Sequence, residues 1–398
     1  MSVLEATEHK QDTRKELPPG WRWVKLGEMC ELNPRRPSLD RADNAPTTFV
    51  PMPAVDGGKG TIVRPEVRPY AEVKKGYTYF TSGDVLFAKI TPCMENGKHA
   101  IVRGLVDGIG FGSTEFHVIR PGLDACSEWL HFFVRQPHVL HEATSHFTGA
   151  VGQRRVPETF LSDLKMPLPP LWEQKRIAAI LNEQMELVER ARVATKAQFD
   201  DAKALTEAYL RQAFPAVGRT LPLGWRWVNL GDAISVKSGN FLSVSQMDAT
   251  GTFHVYGGNG VTGRHNCFMF KEPKIIIGRV GALCGCVHIT EPNSWVTDNA
   301  LYIEAKRLPL DDYFLFYCLK KLKLRQYANQ MGQPVISGHS IYEVAIPLPP
   351  IEDQKRIVSM LGQQLATAEE LRSGLQAELV EINALPSVLL RRAFNGEL

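Results

Sequence analysis

From Ile177 onward a seven-residue spacing organises the chain. One row of positions runs Leu181, Val188, Thr195, Ala202 and Tyr209; a second runs Ile177, Gln184, Ala191, Gln198 and Leu205. Both rows return 180 residues later, as Leu361, Ala368, Leu375, Ile382 and Leu389, and as Ile357, Gln364, Leu371, Glu378 and Leu385. A sustained heptad predicts two long helices paired as a coiled coil. The expected seam is Ile177, Leu181, Val188 and Leu205 on the first helix and Ile357, Leu361, Leu371, Leu375 and Ile382 on the second. Each helix should run about 40 residues, roughly 60 Å at the standard rise. Glutamines and Glu378 dilute the seam, which weakens pairing but can fix register, and Pro386 is expected to kink or end the second helix. Two amphipathic helices, each packed on its own globular part, would show a similar pattern.

Ahead of each helical stretch the pattern is mixed. The segments beginning at Tyr77 (YTYFTSGDVLFAKI) and Lys274 (KIIIGRVGALCGCVHI) predict strands with turns. The segments beginning at Ser127 (SEWLHFFVRQPHVLHEA) and Asp311 (DDYFLFYCLKKLKLRQYA) predict helices. Each head is therefore expected to be a mixed α/β domain.

The same order of blocks occurs twice. LPPGWRWVKLGE from Leu17 returns as LPLGWRWVNLGD from Leu221, an offset of 204. MPLPPLWEQKRIAAIL from Met166 returns as IPLPPIEDQKRIVSML from Ile346, an offset of 180, and the segments ending at Phe214 and Phe394 keep that 180. The first head is thus about 24 residues longer, while the tails keep one length. A rigid spacer must keep its length and a packing helix need not, which favours the paired helices. The PLPP run opens each tail, and Glu173 or Asp353 falls in the first helical turn, where the helix dipole favours a carboxylate. A short polar loop precedes each tail, with Gly152-Gln153 and Gly332-Gln333 at the same offset. The division expected is a tail over 1–16, heads over 17–166 and 221–346, helices over 167–214 and 347–398, and a linker at 215–220.

Composition adds little to this picture. At 398 residues, 44% hydrophobic and 22% charged, the chain has ordinary globular proportions. Residues 215–350 carry 13 Lys+Arg against 9 Asp+Glu, whereas the two tails carry 7 against 7 and 5 against 7. The small basic surplus therefore sits in the heads, which weakly favours an anionic partner there. No run approaches the roughly 18 apolar residues of a membrane span. The N-terminal MSVLEATEHKQDTRKE lacks a signal peptide's apolar stretch, and the seven cysteines contain no C-x-x-C pair. The expectation is a cytoplasmic protein with buried thiols, Cys284 and Cys286 among them.

Motifs for chemistry are missing. There is no phosphate-binding G-x-x-x-x-G-K-[ST], and the G-x-G-x-x-G over Gly258–Gly263 is followed by RHNCFMFKEPKIII instead of a helix, so it predicts a turn or loop. No H-E-x-x-H or paired-cysteine spacing supports a metal, and no cofactor is expected. Asn33-Pro34 begins like an amino-methyltransferase motif, but Arg35-Arg36 replaces the residues it needs, leaving a basic turn. Glu115 and His117 alternate on a predicted strand and are expected to be separately satisfied structural groups. The pattern is that of a reader and not of a catalyst.

Taken together, the blocks opening each half, PLPP-x-x-x-Q-K-R-I opening each helix and R-x-AF closing it resemble the specificity subunits of type I restriction–modification enzymes. GDVLFAKITPCMENGK, FGSTEFHVIRP and TGAVGQRRV in the first head, and VYGGNGVTG, IIIGRVGALCG and the Trp295–Ala300 block in the second, resemble two distinct target-recognition domains. The resemblance spans residues 17–398. It implies two recognition domains joined by two long antiparallel helices in a pseudo-two-fold, circular arrangement. It further implies no catalytic activity and a split double-stranded DNA target, one half per domain, with the helix pair setting the gap. Two methyltransferase (modification) subunits would dock on the helices, and restriction–translocase subunits would join through the complex. The end of the chain, RRAFNGEL, should then lie beside its start, KELPPGW. A coiled-coil scaffold, or a specificity subunit serving a methylation-only system, are the alternatives.

Loops between strands are the natural readers, with basic residues on phosphates and Arg, Asn and Gln on base edges. The candidates are Lys89, Asn96, Lys98, Gln153, Arg154 and Arg155 in the first head, and Asn240, Tyr256, Asn259, Arg264, Arg279 and Gln333 in the second. Gly257, Gly258 and Gly260 either let the backbone approach a groove or simply make a turn.

Overall fold

The computed structural model describes residues 16–150, 153–281, 283–329 and 333–398. The tail before residue 16, and Gly152 and Gly332 of the polar loops, lie outside them. The chain divides into two units, Met1–Ala194 with Leu379–Leu398, and Thr195–Glu378. Both divisions cut the long helices, Leu171–Ala213 and Ile351–Phe394, so each unit holds one head and a part of each helix.

In the first unit the head contains two four-stranded sheets. One has the order Cys30–Leu32, Phe116–Pro121, Val85–Ala88, His99–Ile101, all antiparallel. The other has the order Glu66–Pro69, Pro46–Val50, Ile109–Gly112, Thr78–Thr81, with one parallel pair in its centre. Helices Ser127–Val134 and Pro137–Ser145 follow, separated because Pro137 can begin a helix but not continue one. The second unit repeats the first sheet strand for strand: Ile234–Ser238, Ala300–Lys306, Ile275–Gly278, Val287–Ile289. Its second sheet is smaller, Gly260–His265, Phe253–Gly257 and Trp295–Val296. The length difference between the heads therefore falls largely outside the shared sheet.

The long helices have 43 and 44 residues, close to the expected length. In the first unit Ile177 and Leu181 share a buried cluster with Leu390, Ala393 and Phe394. In the second, Leu210 and Phe214 share one with Ile357 and Leu361. Rising numbers on one helix meet falling numbers on the other, so the segments pair antiparallel within each unit. The second helix continues through Pro386 to Phe394, so the proline does not end it.

One seam row is as expected: Leu181, Thr195, Ala202, Leu361, Ala368, Leu375 and Ile382 are buried and Val188 partly so. The second row is corrected. Leu371 is 48% exposed and Leu385 41%, and Ala191, Gln198 and Glu378 are exposed. Leu379, one residue after Glu378, is buried, and Phe199, one residue after Gln198, is partly buried. Ile177 and Ile357 still pack, because they sit near the helix starts in the clusters of the heads, and Leu205 is partly buried.

The chain's last residues pack on the first head. Phe394 lies 4.1 Å from the Trp129 ring centroid, and Arg176 Nη2 donates to the Leu398 carbonyl at 2.9 Å. Leu17 and Leu398 border the same cluster, which places RRAFNGEL beside the first head's opening residues. In the second unit Phe214 plays the part of Phe394, packing on Phe314 with centroids 5.4 Å apart.

Candidate nucleic-acid interface

Each head is fixed to its helix by the same three devices. A two-stranded ribbon joins the head's first strand to the residues before the helix: Arg22–Lys25 with Lys165–Leu168, and Arg226–Asn229 with Ala345–Leu348. The tryptophan ahead of that strand donates its indole N–H to the first helical turn, Trp21 to Glu173 at 3.2 Å and Trp225 to Asp353 at 3.1 Å. Third comes a fully buried glutamine. Gln174 accepts the Cys126 N–H and donates to the Asp124 and Pro169 carbonyls; Gln354 accepts the Asp311 N–H and donates to the Pro309 and Pro349 carbonyls. Helix polarity accounts for Glu173 and Asp353 in the first turn, but neither the indole contact nor the glutamine follows from it. The recurrence of W and Q at fixed places in the repeat was the available signal.

These anchors set the ends of a loop pair that recurs in both heads. In the first, the loop after strand Val85–Ala88 lies against the loop before the helix: Val156 N–H donates to the Lys89 carbonyl at 2.9 Å and Thr91 N–H to the Arg154 carbonyl at 3.0 Å. Ile90 forms a bridge with Arg155, and Lys89 N–H donates to the Glu115 carbonyl. In the second, Ile336 N–H donates to the Arg279 carbonyl at 2.8 Å, Val280 bridges Val335, and Arg279 N–H donates to the Asn299 carbonyl. Lys89 and Arg279 thus occupy one structural position, the first residue after the same strand.

Charge within the first pair is more balanced than the sequence suggests. Arg155 forms a bidentate pair with Glu115, Nε to Oε2 at 2.8 Å and Nη2 to Oε1 at 2.7 Å. That hydrogen bonding holds the Glu115 carboxyl below its ordinary range and raises the Arg155 guanidinium. Arg154 and Gln153 are exposed, as is Asn96 on the neighbouring loop. His117, two residues from Glu115, has its own partners, the Val156 carbonyl at 2.8 Å and Asn33, and burial lowers its pKa. Asn33, which also accepts the Val118 N–H, is a structural residue of this corner.

Two candidates have partners within their own head. Lys98 Nζ donates to the Met52 and Val55 carbonyls at 3.2 and 2.7 Å, tying a turn inside the head. Tyr256 is buried, and its hydroxyl accepts the Glu291 N–H at 3.0 Å. Each was chosen for residue type, and each is claimed by a backbone group from a distant part of the chain.

In the second head several loops converge on Arg279. Its Nη1 donates to Ser238 Oγ at 3.2 Å and to the Asp298 carbonyl at 3.3 Å. Gly281 N–H donates to the Pro334 carbonyl, next to exposed Gln333. Gly258 lies so close that a Cβ there would meet the Asn299 carbonyl at 3.0 Å. Gly258–Asn259 is the turn between strands Phe253–Gly257 and Gly260–His265, and Gly260 has φ +89°. The G-x-G-x-x-G run is accordingly a hairpin turn, with Asn259 exposed at its tip. Asn240 is exposed on the loop beyond Ser238. Arg264 lies further along the hairpin, exposed, with Nη1 near the Gly251 carbonyl at 3.3 Å. Among the described residues no helix is long and apolar enough to cross a membrane.

A head built on one repeated sheet, a paired helix anchored by the same Trp and Gln, and divergent loops gathered at one corner define a duplicated protein with two variable heads. The chain belongs to the type I restriction modification DNA specificity domain family, whose model matches residues 18–190 and again 222–381. The type I restriction enzyme EcoEI and EcoAI specificity subunits of Escherichia coli are 38% and 39% identical to it over 196 residues. Those matches cover 49% of this chain and 33% of each relative, so the chain aligns with about a third of their length. A solved structure described as the "structural basis underlying complex assembly and conformational transition of the type I R-M system" shares 28% identity, with a TM-score of 0.80 over 96% of this chain and all of that one.

Proposed function

We propose that this chain is the DNA-reading subunit of a type I restriction–modification system, itself without catalytic activity. Residues 17–166 and 221–346 are the two target-recognition domains, and 167–214 and 347–398 the helices on which two methyltransferase subunits dock. Restriction subunits join through that complex. Each head reads one half of a bipartite double-stranded target, through Asn96, Gln153 and Arg154 in the first and Asn240, Asn259, Arg264 and Gln333 in the second. Lys89 and Arg279 anchor phosphates, and Arg155 holds its loop in place.

The observation that carries this reading is the loop pair repeated with the same backbone bonds at Lys89 and Arg279, while the residues displayed on it differ between heads. A shared frame with different side chains is what two half-sites of different sequence require. The test is to map methylated bases in cells carrying the chain with its methyltransferase subunits. The expected result is two short specific blocks separated by an unspecified gap; a continuous target, or no sequence preference, refutes it.

A further inference from the structure

The two loop pairs differ in chemistry as well as in sequence. No described residue of 89–98 or 148–155 in the first head is an exposed large apolar side chain. In the second head Phe241 is 73% exposed and Val244 84% on the segment that follows Ser238, and Leu283 is 46% exposed on the loop after Arg279.

Phe241 is held in that position. Just before it, Gly239 is lodged against the neighbouring strand's end, where a Cβ would lie 2.3 Å from the Val296 carbonyl oxygen and 2.4 Å from that of Thr297. Asn240 N–H donates to the Val296 carbonyl at 2.9 Å, and its own carbonyl accepts the Trp295 indole N–H at 3.2 Å. Just after it, Leu242 is buried. Backbone pinned on one side and a core residue on the other leave the ring between them turned to solvent. Arg279 reaches the same segment through Ser238 Oγ.

We propose that Phe241, supported by Val244, makes the apolar contact to thymine C5-methyl groups in the half-site read by the second head. The inference rests on the DNA-reading assignment above. Its chemistry is that of the major groove, where the thymine methyl is the one apolar feature on a base edge and aromatic or aliphatic side chains recognise it. A fixed, exposed ring next in sequence to the exposed Asn240 amide suits that task. Segments 89–98 and 148–155 of the first head carry no such side chain among their described residues and offer charge and amides instead.

The full chain with its modification subunits is to be titrated with duplexes of the mapped target. Uracil replaces thymine in one half-site at a time, which removes the methyl and nothing else. We expect the wild type to bind about four-fold less tightly for each contacted methyl removed, in one half-site only. Phe241→Ala should bind the thymine and uracil forms alike, Phe241→Leu should keep much of the difference, and the salt dependence should be the same in all three. Equal wild-type binding of both forms in both half-sites overturns the proposal. So does wild-type discrimination retained by Phe241→Ala, or a mapped target without A·T pairs. A wild type that does not prefer the mapped target over random duplex overturns the DNA-reading assignment itself.

Discussion

Neutralising Glu115 and deleting Arg154 should change the salt dependence of DNA binding in opposite directions. Arg154 is exposed beside the Lys89 loop, and Arg155 next to it is engaged at 2.7 and 2.8 Å by both carboxylate oxygens of Glu115. If the loop lies on the phosphate backbone, Arg154→Ala removes one phosphate contact. On duplex DNA one contact contributes about 0.9 to the slope of log K against log salt. Between 50 and 200 mM salt, a four-fold span, that slope corresponds to roughly 3.5-fold in affinity. Glu115→Gln works the other way. It removes a carboxylate and releases the Arg155 guanidinium, whose side chain is already 41% exposed, so the slope should steepen by up to about 0.9. The assay is fluorescence anisotropy on the mapped target at four or five salt concentrations, with the methyltransferase subunits present. An unchanged slope in Arg154→Ala, or a flatter one in Glu115→Gln, would remove this loop from the interface.

Two stability predictions come from buried polar groups. Gln174→Ala leaves the Cys126 N–H and the Asp124 and Pro169 carbonyls without their partner, at about 1 kcal/mol or more each, so a loss of about 3 kcal/mol is expected in denaturant unfolding. Gln354→Ala should cost as much through its three equivalent partners, and a loss below about 0.5 kcal/mol in either would show that the clamp contributes little. Burial pushes His131 down to about 3 from its ordinary 6.5, and His99 is lowered by the same cause. The unfolded chain therefore takes up protons below about 6.5 that the folded state refuses, so stability is full above that pH and falls toward pH 3. Glu115 contributes with the same sign only nearer its ordinary 4.5, so a melting temperature that does not fall between pH 7 and pH 5 would contradict the burial of the histidines.

The sequence by itself determined the duplication, the length of both helices, one row of their seam and the mixed α/β character of the heads. These are local or periodic properties: a repeat, a heptad or a run of β-branched residues reports itself to any reader of adjacent positions. Pro386 does not end its helix, which runs on to Phe394. Only the tertiary structure decided the second seam row, where Leu379 is buried while Leu371 and Glu378 are exposed. It also set which candidates stand exposed and which are engaged inside the fold. Arg154 and Arg155 are neighbours of one type, yet the turn before strand Phe116–Pro121, 40 residues away, supplies Glu115 to one of them. Lys98 and Tyr256 are taken by carbonyls and amides from other segments. What a side chain can bind depends on which distant backbone lands beside it, and local periodicity carries no record of that.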